Sequence, residues 1–260
     1  MTLAAASDVI LGAMKLPPAA LLSLRVPKKL LVEQGAPTRT DKRLIQDGIE
    51  ELHWLATLKP TTVAVPAATE PGRECAEIAV IAVHMRLAAS VMRITALIHR
   101  AIPYPMLLIT LGGTSVGAAV SLSVAPKRAA RNEGDKLVVE RVVATVPFDP
   151  LHPSAVECAF LNSLAIDDLP SGDLAALYTG WLARIEALRA GHLSGQYVAT
   201  DDPDFVGGRR EALEAHTQLA REIAGLRARA KRERQLNRLV DLNLRIQRLE
   251  SRLASHIETL

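Results

Sequence analysis

The stretch Gly113-Thr114-Ser115-Val116-Gly117 sets a serine between two glycines. That is the spacing of a nucleophile elbow, where a serine on a sharp strand-to-helix turn presents its hydroxyl for attack. A strand is expected before it, but Val120, Ser121, Leu122, Ser123 and Val124 alternate with period two after it. The turn is therefore expected to join two strands, with the glycines serving a hairpin. No glycine-rich oxyanion segment lies upstream and no Asp-then-His pair follows persuasively, although His152 and His192 are present. A serine hydrolase using Ser115 with an unidentified histidine base is thus the alternative reading rather than the principal one. A metal-dependent nuclease would need an acid two residues before a lysine at the end of a central strand. Lys127 ends a strand, but Ala125 occupies the acid's place, and Glu77 and Glu140 have no lysine two residues on, which leaves at most a degenerate nuclease-like domain. His84 and His99, in a strand and a helix, read as packed or surface histidines. Cys75 and Cys158 are too few for a disulfide framework and lack zinc-site spacing. The sequence therefore indicates no catalytic residue, no metal and no cofactor.

The remaining chemistry is basic and C-terminal. Net charge is only +3, yet residues 221–260 hold ten Lys/Arg against five Asp/Glu. Arg227, Arg229, Lys231, Arg232, Arg234 and Arg238 are the densest cluster and the candidate nucleic-acid contacts, although a solvated helix face has the same composition. Aromatics are 3% of the chain, so there is no platform for stacking single-stranded bases. From Arg209 to Leu260 there is no proline and one glycine, which predicts a single long helix of roughly 80 Å if continuous. Leu219, Ile223, Leu226 and Ala230 form one heptad-like stripe. Leu239, Leu242, Ile246, Leu249 and Leu253 form another, displaced in phase by two residues. Around Leu236 the helix is apolar on several sides, so contact on more than one side is implied. Leu236, Leu239, Leu242, Ile246, Leu249 and Leu253 are the predicted partner-helix interface, through which the chain would hold a protein partner or self-associate.

These residues need a scaffold, and the sequence supplies one in the stretch 77–124. Ile78, Val80, Ile81 and Val83 form a run apolar on both sides, as in a central buried strand. Leu87, Val91, Ile94 and Ile98 follow at helical spacing until Pro103, and strands 106–111 and 118–124 complete the unit. Before it, the first two dozen residues read as helical or irregular. Thr40 is placed to cap a helix carrying Leu44, Ile45, Ile49 and Leu52 as far as Lys59-Pro60, and Val63 and Val65 suggest a short strand. After it come a fifth strand over 137–146, a proline-rich connector over 147–170, and a helix carrying Leu174, Leu177, Trp181, Leu182, Ile185 and Leu188. The prediction is an α+β fold: a domain over 1–150 with a mixed sheet of about five strands and packed helices, a helical connector over 151–206, and a long basic coiled-coil-like helix over 207–260. No segment reaches membrane-spanning length without interruption and no basic leader precedes an apolar run, so no membrane contact and a cytoplasmic location are expected.

Several short segments carry a resemblance. They are Val26-Pro27-Lys28, the stretch 49–65 with Trp54 and Leu58-Lys59-Pro60, and Glu77-Ile78-Ala79-Val80-Ile81. Further along come Ala101-Ile102-Pro103-Tyr104-Pro105, Leu122-Ser123-Val124-Ala125-Pro126-Lys127-Arg128, and the stretch from Leu236 to Asn243. Together they resemble an uncharacterised bacterial family, domain of unknown function 4391, over most of the chain. Departures fall at Ala56-Thr57, where relatives keep a Tyr-Lys pair, and at Ala82, where they keep an acid. Members of that family are often encoded beside helicases and DNA methyltransferases of restriction-like defence systems. The resemblance thus implies an accessory or scaffold role in such an assembly, without implying a reaction.

Overall fold

The computed structural model describes residues 3–70, 74–86, 90–112, 119–129 and 137–257. The sheet is organised around β3 (Ile78–Met85), whose residues are all buried except the half-buried His84. A strand apolar on both faces can lie only between two strands and beneath cover on both sides. β2 (Ile49–Leu58) pairs with it antiparallel on one side and β4 (Met106–Gly112) parallel on the other. A parallel neighbour requires a crossover, which α5 (Val91–Ala101) provides. The other strands are β1 (Leu21–Arg25), β5 (Val120–Val124) and β8 (Val143–Ala144), in the order β1-β2-β3-β4-β5-β8. A separate two-stranded ribbon pairs β6 (Lys127–Ala129) with β7 (Leu137–Val139). The sheet is mixed, as expected, although 137–146 supplies two short strands in different sheets rather than one.

One face of the sheet, with Ala79, Ile81, Val83, Met85 and Leu108, packs against Leu31 of α2 (Lys28–Gly35), Ile45 of α3 (Arg39–Gly48) and Ile94, Leu97 and Ile98 of α5. On the other side α1 (Leu3–Met14) touches β4 and α6 (Ala155–Asn162). The early part of α7 (Leu174–Ser194) is pinned by Tyr178. Its hydroxyl accepts from the Ala125 amide at 2.8 Å and faces the Met106 and Ala125 carbonyls at 3.2 Å.

Four expectations are corrected. The helix expected to run to Lys59 stops at Gly48, and the next ten residues are β2. Ile49 and Leu52, three apart, suit a helical face, and in β2 they reach one core only because the register shifts between Ile49 and Glu51; Trp54 and Thr57 favour a pleated strand, and pairing with β3 decides it. Its N-cap is Thr38 rather than Thr40, the Thr38 hydroxyl accepting from the Asp41 amide at 3.1 Å. Residues 60–63 form α4 (Pro60–Val63), a helical turn in place of a strand: Pro60 presets the first φ, and the Thr62 hydroxyl accepts from the Lys59 amide at 2.8 Å. Finally, β1 is an edge strand where a helical or irregular lead-in was expected. Its Leu21, Leu22 and Leu24 are exposed, so its apolar residues are not a burial signal.

The chain divides into two compact units, Met1–Ile185 and Glu186–Leu260. The second holds α8 (Pro203–Ala230) and α9 (Leu236–Ile257), so the single helix expected from residue 209 is broken. After Ala230 the chain turns through 231–235, and the Glu233 carboxylate accepts from the Arg234 and Gln235 amides at 2.8 and 2.9 Å, holding the turn ahead of α9. The two phase-shifted stripes face each other. Leu219, Ile223 and Leu226 pack on Ile246 and Leu249, with Ala230, Leu242 and Leu253 at the margins. Arg227–Glu250 (2.7 Å) and Arg245–Glu222 (2.6 Å) flank this seam.

Two tests follow from this packing. A Cβ at Gly35 would lie 2.6 Å from the Ala101 Cβ and 2.7 Å from the Leu97 carbonyl, so α2 and α5 meet backbone to backbone. Gly35→Ala should cost about 1–3 kcal/mol in urea unfolding by forcing these helices apart. Acid sensitivity should centre on His99, whose Nε2 lies 3.0 Å from the Ser123 hydroxyl while Nδ1 has no partner among the described residues. Burial, together with the nearby Lys127 charge, pushes this imidazole down to about 3. The unfolded chain takes up this proton near pH 6.5 and the fold does not, so the stability from neutral His99 is complete above pH 6.5 and is lost as pH falls towards 3. The loss is at most about 1.4 kcal/mol per pH unit. Asp41, held below the usual carboxylate range by its bidentate bond to Arg93 (2.8 and 2.9 Å), adds a further loss under about pH 4. Unfolding at pH 7 and pH 5 should show this slope in the parent chain and a shallower one in His99→Gln.

Candidate functional site

The break at 231–235 gathers the basic residues. On one continuous helix Arg227, Arg229, Lys231, Arg232, Arg234 and Arg238 would radiate to all sides. In the hairpin they occupy the end of α8, the turn and the first turn of α9, and so surround one tip. Arg227 is engaged by Glu250. The other five form no salt bridge among the described residues, and the one carboxylate among them, Glu233, is occupied with amides and held below its usual range by them. A dense, solvent-facing positive tip can meet phosphates or an acidic protein surface.

The predicted interface leucines separate into two groups. Ile246 and Leu249 are buried and Leu242 and Leu253 are half-buried against α8, so the second helix they contact belongs to the same chain. Changing Leu242 and Leu249 to Asp would open the hairpin rather than report on a partner. Leu239 is half-buried, whereas Leu236 is 73% exposed. With Val240 at 49% and Leu244 at 48%, Leu236 forms a stripe at every fourth residue on the side of α9 turned away from α8. The contact on more than one side that the sequence implied has α8 on one side and this stripe on the other.

In the first unit the structure assembles a polar group that the sequence reading missed. Glu51 and His53 alternate on β2 and so share a face. The His53 Nε2–H donates to the Glu51 carboxylate at 3.1 Å, His84 stands opposite Glu51 across the pair of strands, and Arg25 stands opposite His53. The His53 and His84 rings meet edge to face at 6.3 Å. Beside them a groove of about 430 Å³ is lined by Arg25, Val26, Pro27, Lys28, Glu50 and Glu51. The His53 hydrogen bond holds Glu51 below the usual carboxylate range, and burial pushes His84 down while the Glu51 charge opposes that shift. The arrangement can hold a proton between the Glu51 carboxylate and the His53 imidazole, with His84 close enough to feel the Glu51 charge. The signal was a Glu-x-His pair, legible as a unit only once 49–58 is a strand.

The other candidates resolve differently. Lys127 is half-buried, and its ammonium donates to the carbonyls of Ile102 and Tyr104, the latter at 2.6 Å. Burial pushes it down to about 8. It ties the end of α5 to the strand after β5. Ser115 lies outside the described residues, but the next element after it is β5, paired antiparallel with β4, where a nucleophile elbow would have a helix. His152 Nδ1 pairs with Asp149 at 3.0 Å on the surface. Among the described residues no group of three His, Cys, Asp or Glu side chains could hold a metal ion, and no helix is long and apolar enough to cross a membrane.

The fold and these surfaces define an α+β domain joined to a basic helical hairpin. The chain belongs to the family described as Domain of unknown function (DUF4391), whose model matches residues 14–253. No curated protein and no solved structure matches it.

The proton-sharing group makes a specific titration prediction. In Glu51→Gln, His84 should titrate at lower pH than in the parent chain, because the carboxylate that favours its charged form is gone while its burial remains. Following the imidazole proton resonances with pH would test this, and an unchanged His84 midpoint would contradict it.

Proposed function

We propose that this chain is a non-catalytic accessory or scaffold subunit of a bacterial DNA-processing complex of the restriction or anti-phage type, associated with a helicase or methyltransferase and acting through its α8–α9 hairpin. The observation that carries this reading is the exposed stripe of Leu236, Val240 and Leu244, which begins at a tip bearing five cations without a salt bridge among the described residues. Large apolar side chains aligned along a surface helix are a feature of contact surfaces. The adjoining positive tip supplies a sequence-independent attraction for a phosphate backbone. The stripe is read as a protein contact and the tip as a nucleic-acid contact. The link to defence systems rests on the family resemblance.

A duplex-DNA titration tests the tip. Changing Arg229, Lys231, Arg232 and Arg234 to Gln should weaken binding to unrelated sequences alike, and should flatten the salt dependence by about 0.9 in log–log slope for each phosphate that the variant no longer neutralises. Circular dichroism should be unchanged, since these side chains lie outside the hairpin seam. DNA affinity equal to that of the parent chain would remove nucleic acid from the reading.

A further inference from the structure

The outward face of α9 carries more order than an apolar stripe. From Leu236 the residues on this side are Val240, Asn243, Leu244, Gln247, Ser251 and Ala254, uncharged over about five turns of an otherwise strongly charged helix. Asn243, Gln247, Ser251 and Ala254 are exposed, as are the three apolar members. Asp241 and Arg248 border this face. They are seven residues apart and so lie on the same side of it, both exposed, and neither forms a salt bridge among the described residues. In contrast, Glu250 and Arg245 are engaged by α8. The face therefore has an uncharged centre and one flank on which Asp241 and Arg248 are equally distant from the midpoint near residues 244–245, with Arg252 one turn further on, opposite the uncharged Asn237 in an antiparallel pairing about that midpoint.

We infer that this face binds the same face of a second copy of the chain, with the two α9 helices antiparallel about a two-fold axis near Leu244. In a two-fold pair the same surface is used twice, so whatever flanks the face must be complementary to itself. An antiparallel pair brings matching flanks of the two helices together with their directions reversed. Asp241 then meets Arg248 of the other copy, and Arg248 meets the other copy's Asp241, giving two reciprocal ion pairs. The uncharged centre excludes nucleic acid as the occupant. A parallel pair is disfavoured by the tips, since it would set the five cations of one copy beside the five of the other, whereas the antiparallel pair holds the tips at opposite ends. Asn243 and Gln247 near the axis would fix the register, because a polar side chain buried in a helical seam needs its partner opposite. This inference rests on the reading of the hairpin as a contact element, and it names the occupant of the stripe.

Cysteine cross-linking in the full chain tests the geometry, in a Cys158→Ser background because Cys158 is exposed while Cys75 is buried. Leu244→Cys, close to the axis, should be joined to itself by a short bis-maleimide. Leu236→Cys should not, its two copies being roughly 25 Å apart along the helices. Light scattering over a concentration series should give twice the chain mass. Asp241→Arg and Arg248→Asp should each raise the dissociation constant about tenfold, and the double variant should recover the parent value. A single-chain mass at every concentration overturns the inference, as does cross-linking of Leu236→Cys to itself, which would show a parallel pair. If the chain is monomeric yet the tip variant loses DNA affinity, the self-association fails and the reading of the hairpin stands. If the dimer forms and DNA binding is indifferent to the tip, the nucleic-acid half of that reading fails alone.

Discussion

The two-sided burial of β3 is the constraint on which the first unit depends. A strand with Ile78, Val80, Ile81 and Val83 fully buried cannot tolerate a free edge or an open face, so strands must flank it and cover must lie on both sides. Its parallel bond to β4 obliges the chain to cross over through α5, and its antiparallel bond to β2 brings the whole segment after Gly48 back alongside it. The polar group at Glu51, His53 and His84 lies near the end of β3, on the face where His84 is only half-buried while Met85 on the other face stays in the core.

Five of the six segments that carry the family resemblance, those before residue 130, turn out to touch one another. The Lys28 ammonium donates to the Ile49 carbonyl, and Lys59 pairs with Glu77 at 2.9 Å. The Trp54 and Tyr104 rings meet edge to face at 6.2 Å, and Lys127 reaches the carbonyls of Ile102 and Tyr104. Short motifs scattered over a hundred residues of sequence thus reduce to a few contacts along the β1–β2–β3 side of the sheet and the end of α5. At one of the two departures, Trp54 Nε1–H donates to the Ala56 carbonyl at 2.9 Å and to the Thr57 hydroxyl at 2.8 Å. Ala56 and Thr57 thus serve the tryptophan itself. The resemblance reports how the fold is fastened more directly than what the protein does.

What the sequence disclosed follows the strength of its periodicity. The buried strands and α5 were legible because runs such as Ile78–Val83 admit one reading. Residues 49–58 were not, because Leu44, Ile45, Ile49 and Leu52 satisfy a helical stripe across a boundary marked only by Gly48. Reading them as helix scattered Glu51 and His53 to different faces, so the polar group could not be seen. The hairpin was half legible. The two-residue phase shift between the stripes is what two facing helices produce, but the turn holds neither glycine nor proline, and it is held by Glu233 bonding to the next two amides inside a run of like charges. The role of Lys127 was illegible for a different reason: its partners are backbone carbonyls far away in sequence, and no side-chain pattern announces a carbonyl.

The turn at 231–235 also bears on the order in which the chain acquires its shape. Every contact across the α8–α9 seam joins residues brought together by one short loop, whereas the sheet must pair Leu58 with Ile78, Ile49 with Met85 and Arg25 with His53 before β3 is covered. Local contacts close quickly, and remote strand pairings bear a loop-closure cost that must be met before they are rewarded. The hairpin is therefore the part of the chain able to fold soonest. The hairpin can be formed while the sheet is still searching for its register.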